Sequence, residues 1–214
     1  MPRTRNNGER PLEPGFLEVA ALDADLAGVL RRHGQPHVRT RPQGFATLLK
    51  ILVEQQVSLA AANAIWARLE SGLGGTTPER VLAQDEAALC GFGLSRPKAR
   101  YALALAEAVQ QRRLKLRALA RMPDEEAIAA LTEVKGIGRW TAEIYLLAAL
   151  RRPDVWPAGD VALMWAAQDL KGLPARPEGP AMLALAEDWR PWRTYAARLL
   201  WHHYRHTRMR QTAL

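Results

Sequence analysis

The sequence predicts an all-α protein. Three observations carry that expectation. Apolar residues recur at three- and four-residue spacing from Phe16 onward, helix-starting and helix-stopping residues punctuate the chain at short intervals, and no convincing run alternates as a half-buried strand does. There is no strong internal repeat.

Residues 1–14 are polar, basic and proline-bearing, and are expected to form a flexible basic tail. Phe16 to His33 carries an amphipathic pattern that ends at Gly34, a residue suited to a helix C-terminus. Phe45, Leu48, Leu49, Leu52 and Val53 repeat at helical spacing up to the polar pair Gln55-Gln56. Ser58 then reads as the N-cap of a helix through Trp66 and Leu69. Gly72 to Thr77 is a loop, and Pro78 opens another helix at its favoured first position. Gly91-Phe92-Gly93 is a short link, with Ser95 capping a helix through Lys98 and Tyr101. Asp124-Glu125-Glu126 suits the first turn of a helix, where the macrodipole favours acids. Trp140, Ile144 and Leu147 share one face of the next. Pro153 to Gly159 is an irregular connection, Asp160 stands at the start of a further helical pattern, and helices follow over Ala181 to Glu187 and Tyr195 to Tyr204.

Composition narrows the classes. In 214 residues, 30 Lys and Arg oppose 22 Asp and Glu, a net charge of +8 with a pI near 10.2. Such an excess steers a protein toward polyanions. It is concentrated at one end: no acid follows Asp188, while Arg190, Arg193, Arg198, Arg205, Arg208 and Arg210 do. The single cysteine, Cys90, excludes an internal disulfide and any four-cysteine zinc or iron–sulfur site. No run is apolar for long enough to cross a membrane, and a soluble, cytoplasmic monomer without membrane partners is expected.

The most informative stretch is Leu131-Thr132-Glu133-Val134-Lys135-Gly136-Ile137-Gly138-Arg139-Trp140-Thr141-Ala142. Two glycines one residue apart allow a sharp turn and bare N–H groups at a helix start, which attract anions. On a basic chain the natural anion is a nucleic-acid phosphate. Pro157-Ala158-Gly159-Asp160-Val161 then supplies a lone acid ahead of a helix. By residue type alone Asp160 reads as an N-cap or as a reactive carboxylate, and the two are compatible.

The segment Val134 to Ala142 followed by Asp160 resembles the helix-hairpin-helix DNA glycosylase superfamily, and within it the 3-methyladenine DNA glycosylase II family of the AlkA type. Glu54-Gln55-Gln56-Val57-Ser58-Leu59-Ala60-Ala61, Gly93-Leu94-Ser95-Arg96-Pro97-Lys98-Ala99 and Trp189-Arg190-Pro191-Trp192-Arg193-Thr194-Tyr195-Ala196, ending in Trp201, are similar to further segments of that family. The resemblance covers roughly Phe45 to Tyr204. It implies a two-lobed helical glycosylase fold without the N-terminal β-rich domain of larger members. A helical domain over 15–214 would then comprise a hairpin lobe near 59–150 and a second lobe from 15–58 plus 151–214, with the lesion taken into a cleft between them.

The same resemblance assigns roles. Asp160 is the essential acid. Lys135, Gly136, Ile137, Gly138, Arg139 and Thr141 contact the DNA backbone, and the carbonyls of Val134 and Gly136 are candidates to hold a monovalent cation; no catalytic metal and no cofactor is implied. Gln56, with Gln55 beside it, stands where the duplex is wedged open. Trp201 lines the base pocket with Trp140, Ile144 and Val161. Ile144 and Val161 depart from the tyrosines common at such positions, which bears on substrate range. Trp140 occupies the place of the Schiff-base lysine of members with lyase activity, so base removal without strand cleavage is expected. His202, His203 and His206 invite a metal reading, but the nearby sequence offers no carboxylate or cysteine to complete it.

The expected function is a monofunctional DNA glycosylase that hydrolyses the N-glycosidic bond of alkylated purines of the 3-methyladenine type in duplex DNA, leaving an abasic site for base excision repair. The alternatives are a glycosylase for a deaminated or oxidised base and a non-catalytic helix-hairpin-helix DNA-binding protein. Asp160 separates the last of these, since a pure clamp gains nothing from an acid facing phosphate.

Overall fold

The computed structural model describes residues 12–38 and 40–211, with side chains as far as Arg208. The expected tail lies outside the described residues apart from its last three. Among the described residues the elements are all helical: α1 (Pro14–Leu22), α2 (Ala24–His33), α3 (Phe45–Glu54), α4 (Leu59–Leu73), α5 (Pro78–Leu82), α6 (Glu86–Gly91), α7 (Arg96–Gln110), α8 (Leu116–Leu119), α9 (Asp124–Thr132), α10 (Arg139–Ala148), α11 (Val161–Lys171), α12 (Pro180–Glu187) and α13 (Arg193–Gln211).

The chain divides into two compact units. One takes the residues up to Val38 together with those from Val161; the other ends at Asp160. Residues 40–58 and 151–160 therefore belong to the hairpin unit, rather than to the second lobe as the sequence suggested. The reason is packing. Leu48, Leu49, Ile51, Leu52 and Val53 of α3 are fully buried, and α3 packs on α4, α7 and α10. A helix apolar nearly all round must be enclosed by others, so α3 forms the centre of this unit.

The first unit is built from α1, α2, α11, α12 and α13, with Phe16, Leu26, Val29, Leu163 and Leu200 in its core. The pattern from Phe16 to His33 is two helices, not one. Asp23 breaks it: its backbone is extended, and its Oδ1 accepts from the N–H groups of Asp25 and Leu26, which starts α2. Gly34, at φ +70, closes α2 as expected. Asp23 also receives Lys171 Nζ at 2.7 Å and the Trp189 indole N–H at 2.8 Å. Burial pushes the carboxyl's pKa up, yet these donors and the Leu26 N–H outweigh it and hold it below the usual aspartate value.

In the second unit the local start signals work as the sequence implies. Ser58 Oγ accepts from the Ala61 N–H to cap α4, and Thr77 does the same for α5 ahead of Pro78. Ser95 precedes α7 but makes no side-chain cap. Instead α7 is held by burial of Ala99, Ala102, Leu105 and Ala106 against its neighbours. Asp124, Glu125 and Glu126 fill the first turn of α9, which leads into the hairpin.

Candidate active site and nucleic-acid interface

The hairpin joins α9 to α10 through Val134 and Ile137, both buried, and closes with a bond from the Ile137 N–H to the Val134 carbonyl at 3.0 Å. The two glycines do different work. Gly136 adopts φ +93, and a Cβ there would collide with the Tyr101 ring, so both backbone and space demand glycine. Gly138 is ordinary extended backbone with open space around it. It caps α10 without a side chain, and Ala142 is the first residue whose N–H reaches back to it. The N–H groups of Arg139, Trp140 and Thr141 therefore lack helical partners, and together with the dipole they favour a negative charge at this helix start. Lys135 is exposed at the tip.

The side chains of two residues expected to contact the DNA backbone are engaged elsewhere. Arg139 gives Nη1 and Nη2 to the Glu125 carboxylate, at 3.0 and 2.7 Å, and Nε to Glu143 Oε1 at 2.8 Å. The bond to Glu125, helped by Glu143, raises its pKa further; two carboxylates already answer its charge. Thr141 is buried, and its Oγ1 accepts from Gln55 Nε2 at 2.8 Å. Only its backbone N–H remains for an anion.

Gln55 is likewise turned inward rather than into a duplex. Its amide also donates to the Gly136 carbonyl at 3.2 Å, linking the end of α3 to the hairpin. Gln56 is exposed, at φ +52, a left-handed conformation uncommon for glutamine. Of the pair, Gln56 alone is presented to solvent as a wedge would be. The carbonyls of Val134 and Gly136 each accept one protein N–H, from Ile137 and Gln55, which leaves each a single lone pair for a cation.

Asp160 follows the turn Pro157-Ala158-Gly159, closed by its own N–H donating to the Pro157 carbonyl at 2.9 Å, and directly precedes α11. Trp140, on the first turn of α10, donates its indole N–H to Asp160 Oδ2 at 2.9 Å. Both are half-buried. This bond joins the carboxylate to the same helix whose N-terminus favours an anion. Ile144 is half-buried one turn further along α10. Val161, 63% exposed, and Trp201 fall in the other unit.

The histidines have partners the sequence did not reveal. His203 Nε2 lies 2.6 Å from Asp169 Oδ2 on α11, His202 Nε2 lies 3.1 Å from the His33 carbonyl, and the His206 ring stacks on His33 with centroids 4.3 Å apart. Among the described residues no group of three or more His, Cys, Asp or Glu is arranged to hold a metal. A cavity of about 610 Å³ in the hairpin unit is lined by Gln43, Gly44, Arg112, Lys115 and Arg117 and by apolar neighbours, at the end of α7 away from Lys98. It contains neither Asp160 nor Trp140.

A helix start that favours anions beside a lysine, with a carboxylate bonded to that same helix, is an arrangement suited to a helical protein that handles nucleic acid. The model of the HhH-GPD superfamily base excision DNA repair protein matches residues 49–191, and the chain belongs to this superfamily. It is similar to the alkylbase DNA glycosidase-like protein mag2 of Schizosaccharomyces pombe, with 29% identity over 86% of this chain and 89% of that protein. Among solved structures, a DNA-3-methyladenine glycosidase of Bacillus halodurans shares 33% identity at TM-score 0.77, covering 90% of this chain and 89% of the other. The 3-methyladenine DNA glycosylase Mag1 of Schizosaccharomyces pombe, in complex with abasic DNA, shares 30% identity at TM-score 0.79 over 88% and 95%.

Proposed function

We propose that the chain is a monofunctional DNA glycosylase that removes alkylated purines of the 3-methyladenine type by hydrolysis, leaving an abasic site. The observation that carries this reading is the Asp160 carboxylate oriented by the Trp140 indole N–H. Breaking an N-glycosidic bond builds positive charge on the deoxyribose, as other glycoside cleavages do. A carboxylate fixed in advance stabilises that charge without reorganising when the bond breaks. Unit charges about 4 Å apart at an effective dielectric near 20 attract by roughly 4 kcal/mol, about a thousandfold in rate. The second carboxylate oxygen, Oδ1, can also orient or deprotonate the attacking water.

Trp140 supports the absence of a lyase step, because an indole has no amine with which to form an imine. The hairpin grips phosphate through backbone N–H groups and Lys135, contacts that carry no sequence preference and suit an enzyme that must search all DNA. Extrusion of the lesion then delivers it to the acid.

The test is release of free base from alkylated duplex, analysed by mass, for the wild type and Asp160→Asn. Asp160→Asn should keep its affinity for abasic DNA and lose about a thousandfold in release. Release near the wild-type rate would refute the assignment. Borohydride should trap no covalent enzyme–DNA adduct; a trapped adduct would show a lysine nucleophile.

A further inference from the structure

The turn that presents Gln56 is pinned on both sides by groups the reaction itself does not use. Lys98, in the first turn of α7, reaches across to the end of α3 and donates Nζ to the carbonyls of Val53, at 2.8 Å, and Gln55, at 2.5 Å. These carbonyls belong to the last turn of α3 and the residue after it, where helical partners run out and the dipole favours a cation. The ammonium is half-buried, and burial pulls its pKa below the usual lysine value. Beside it Glu54 accepts twice from Arg41 Nη2, both at 2.9 Å. On the other flank, the Gln55 side chain is bonded to the Gly136 carbonyl and Thr141 Oγ1.

Between these anchors Gln56 is exposed and left-handed. That conformation is disfavoured for a residue with a side chain, so it persists only where its surroundings impose it. Residues 53 to 55 are held by Lys98 and Arg41, and Ser58 is fixed as the cap of α4. The turn is therefore restrained on both sides.

We propose that Lys98 and Gln55 are positioning residues that lock the Gln56 turn to the phosphate-binding hairpin, so that gripping the backbone and inserting Gln56 into the duplex occur as one event. Lys98 fixes the turn through its carbonyl, and Gln55 ties that same residue to the hairpin. Neither touches the reacting sugar. The proposal rests on the reading of the hairpin as the phosphate grip and of Gln56 as the wedge.

The experiment compares one alkylated base in duplex and in single-stranded DNA, with 2-aminopurine at the lesion position as a separate fluorescent reporter of extrusion. A single-stranded base needs no extrusion. Lys98→Met should slow release from duplex by about tenfold and reduce the 2-aminopurine signal, while release from single strand stays within about twofold. Gln55→Leu should lower the same duplex rate and signal. Gln56→Ala should also slow duplex release and reduce the signal, and on duplex Lys98→Met combined with Gln56→Ala should be no worse than the worse single variant. Lys98→Arg, which keeps a donor, should recover most of the duplex rate. Equal losses on both substrates would mean that Lys98 merely holds the fold, and unchanged duplex rates would mean that it does nothing here; either result overturns the proposal. If the wild type extrudes 2-aminopurine but releases no base from any lesion, the glycosylase reading fails, and the extrusion signal of the variants still judges the lock.

Discussion

The Trp140 indole N–H points at Asp160 Oδ2 across 2.9 Å, within one unit of the chain. This bond helps to aim the acid, and its donor sits on the first turn of α10. Trp140→Phe keeps a smaller aromatic ring and deletes the donor. The maximal rate of base release should fall by about tenfold while affinity for abasic duplex stays within about twofold. Single-turnover kinetics check this, and an unchanged rate would show that Asp160 is oriented by other contacts.

The two hairpin glycines should fail differently. Gly136→Ala meets the Tyr101 ring at a left-handed φ and should cost more than about 2 kcal/mol of stability. Gly138→Ala meets nothing within 4 Å, so thermal unfolding should be unchanged; because the methyl is added at the helix start read as the phosphate grip, duplex affinity should drop. A Gly138→Ala protein that unfolds early but binds normally contradicts this division.

Charge changes around the hairpin should follow the ion pairs. Lys135→Ala should weaken duplex binding and lower the salt slope by about one. Arg139→Ala should change that slope little, because Glu125 and Glu143 already hold the guanidinium. Glu125→Gln releases one of those restraints and should strengthen binding at low salt. Fluorescence anisotropy across a salt series measures all three, and a steeper loss for Arg139→Ala than for Lys135→Ala reverses the assignment.

Acid should loosen the first unit. Burial lowers the pKa of His33 and His202 beneath the ordinary value of 6.5, with His206 and nearby arginines acting in the same direction. The unfolded chain then binds protons that the native state refuses. Stability is fully present above pH 6.5 and declines as pH falls through the window down to the native pKa values. Denaturant midpoints at pH 7.5 and 5.5 should show the decline, and His33→Gln should shrink it. A midpoint independent of pH over that range would exclude these rings as the cause.

Local signals were legible in the sequence, and long-range partners were not. Ser58, Pro78, the acids before Ile128 and the hairpin glycines declare themselves because capping and turn chemistry act within a few residues. The sequence showed the helical periodicity of Phe16 to His33 but hid the break, since Asp23 gains its partners from Lys171 and Trp189, far along the chain. Arg139 stands four residues before Glu143, a visible pair, yet Glu125 comes from the preceding helix. Gln55 and Thr141 looked like surface groups because nothing in either segment tells that they face each other. Lys98 was missed for the same reason; its spacing from Tyr101 marked one face of a helix, but not what that face would meet.

Lys98 and Tyr101 lie three residues apart on α7, one reaching under the Gln56 turn and the other filling the space below Gly136. A single short ledge therefore underpins two contacts that a damaged duplex would feel at separate points. A substitution at Arg96, Pro97 or Ala99 that tilts its first turn should therefore disturb the Gln56 turn and the hairpin together.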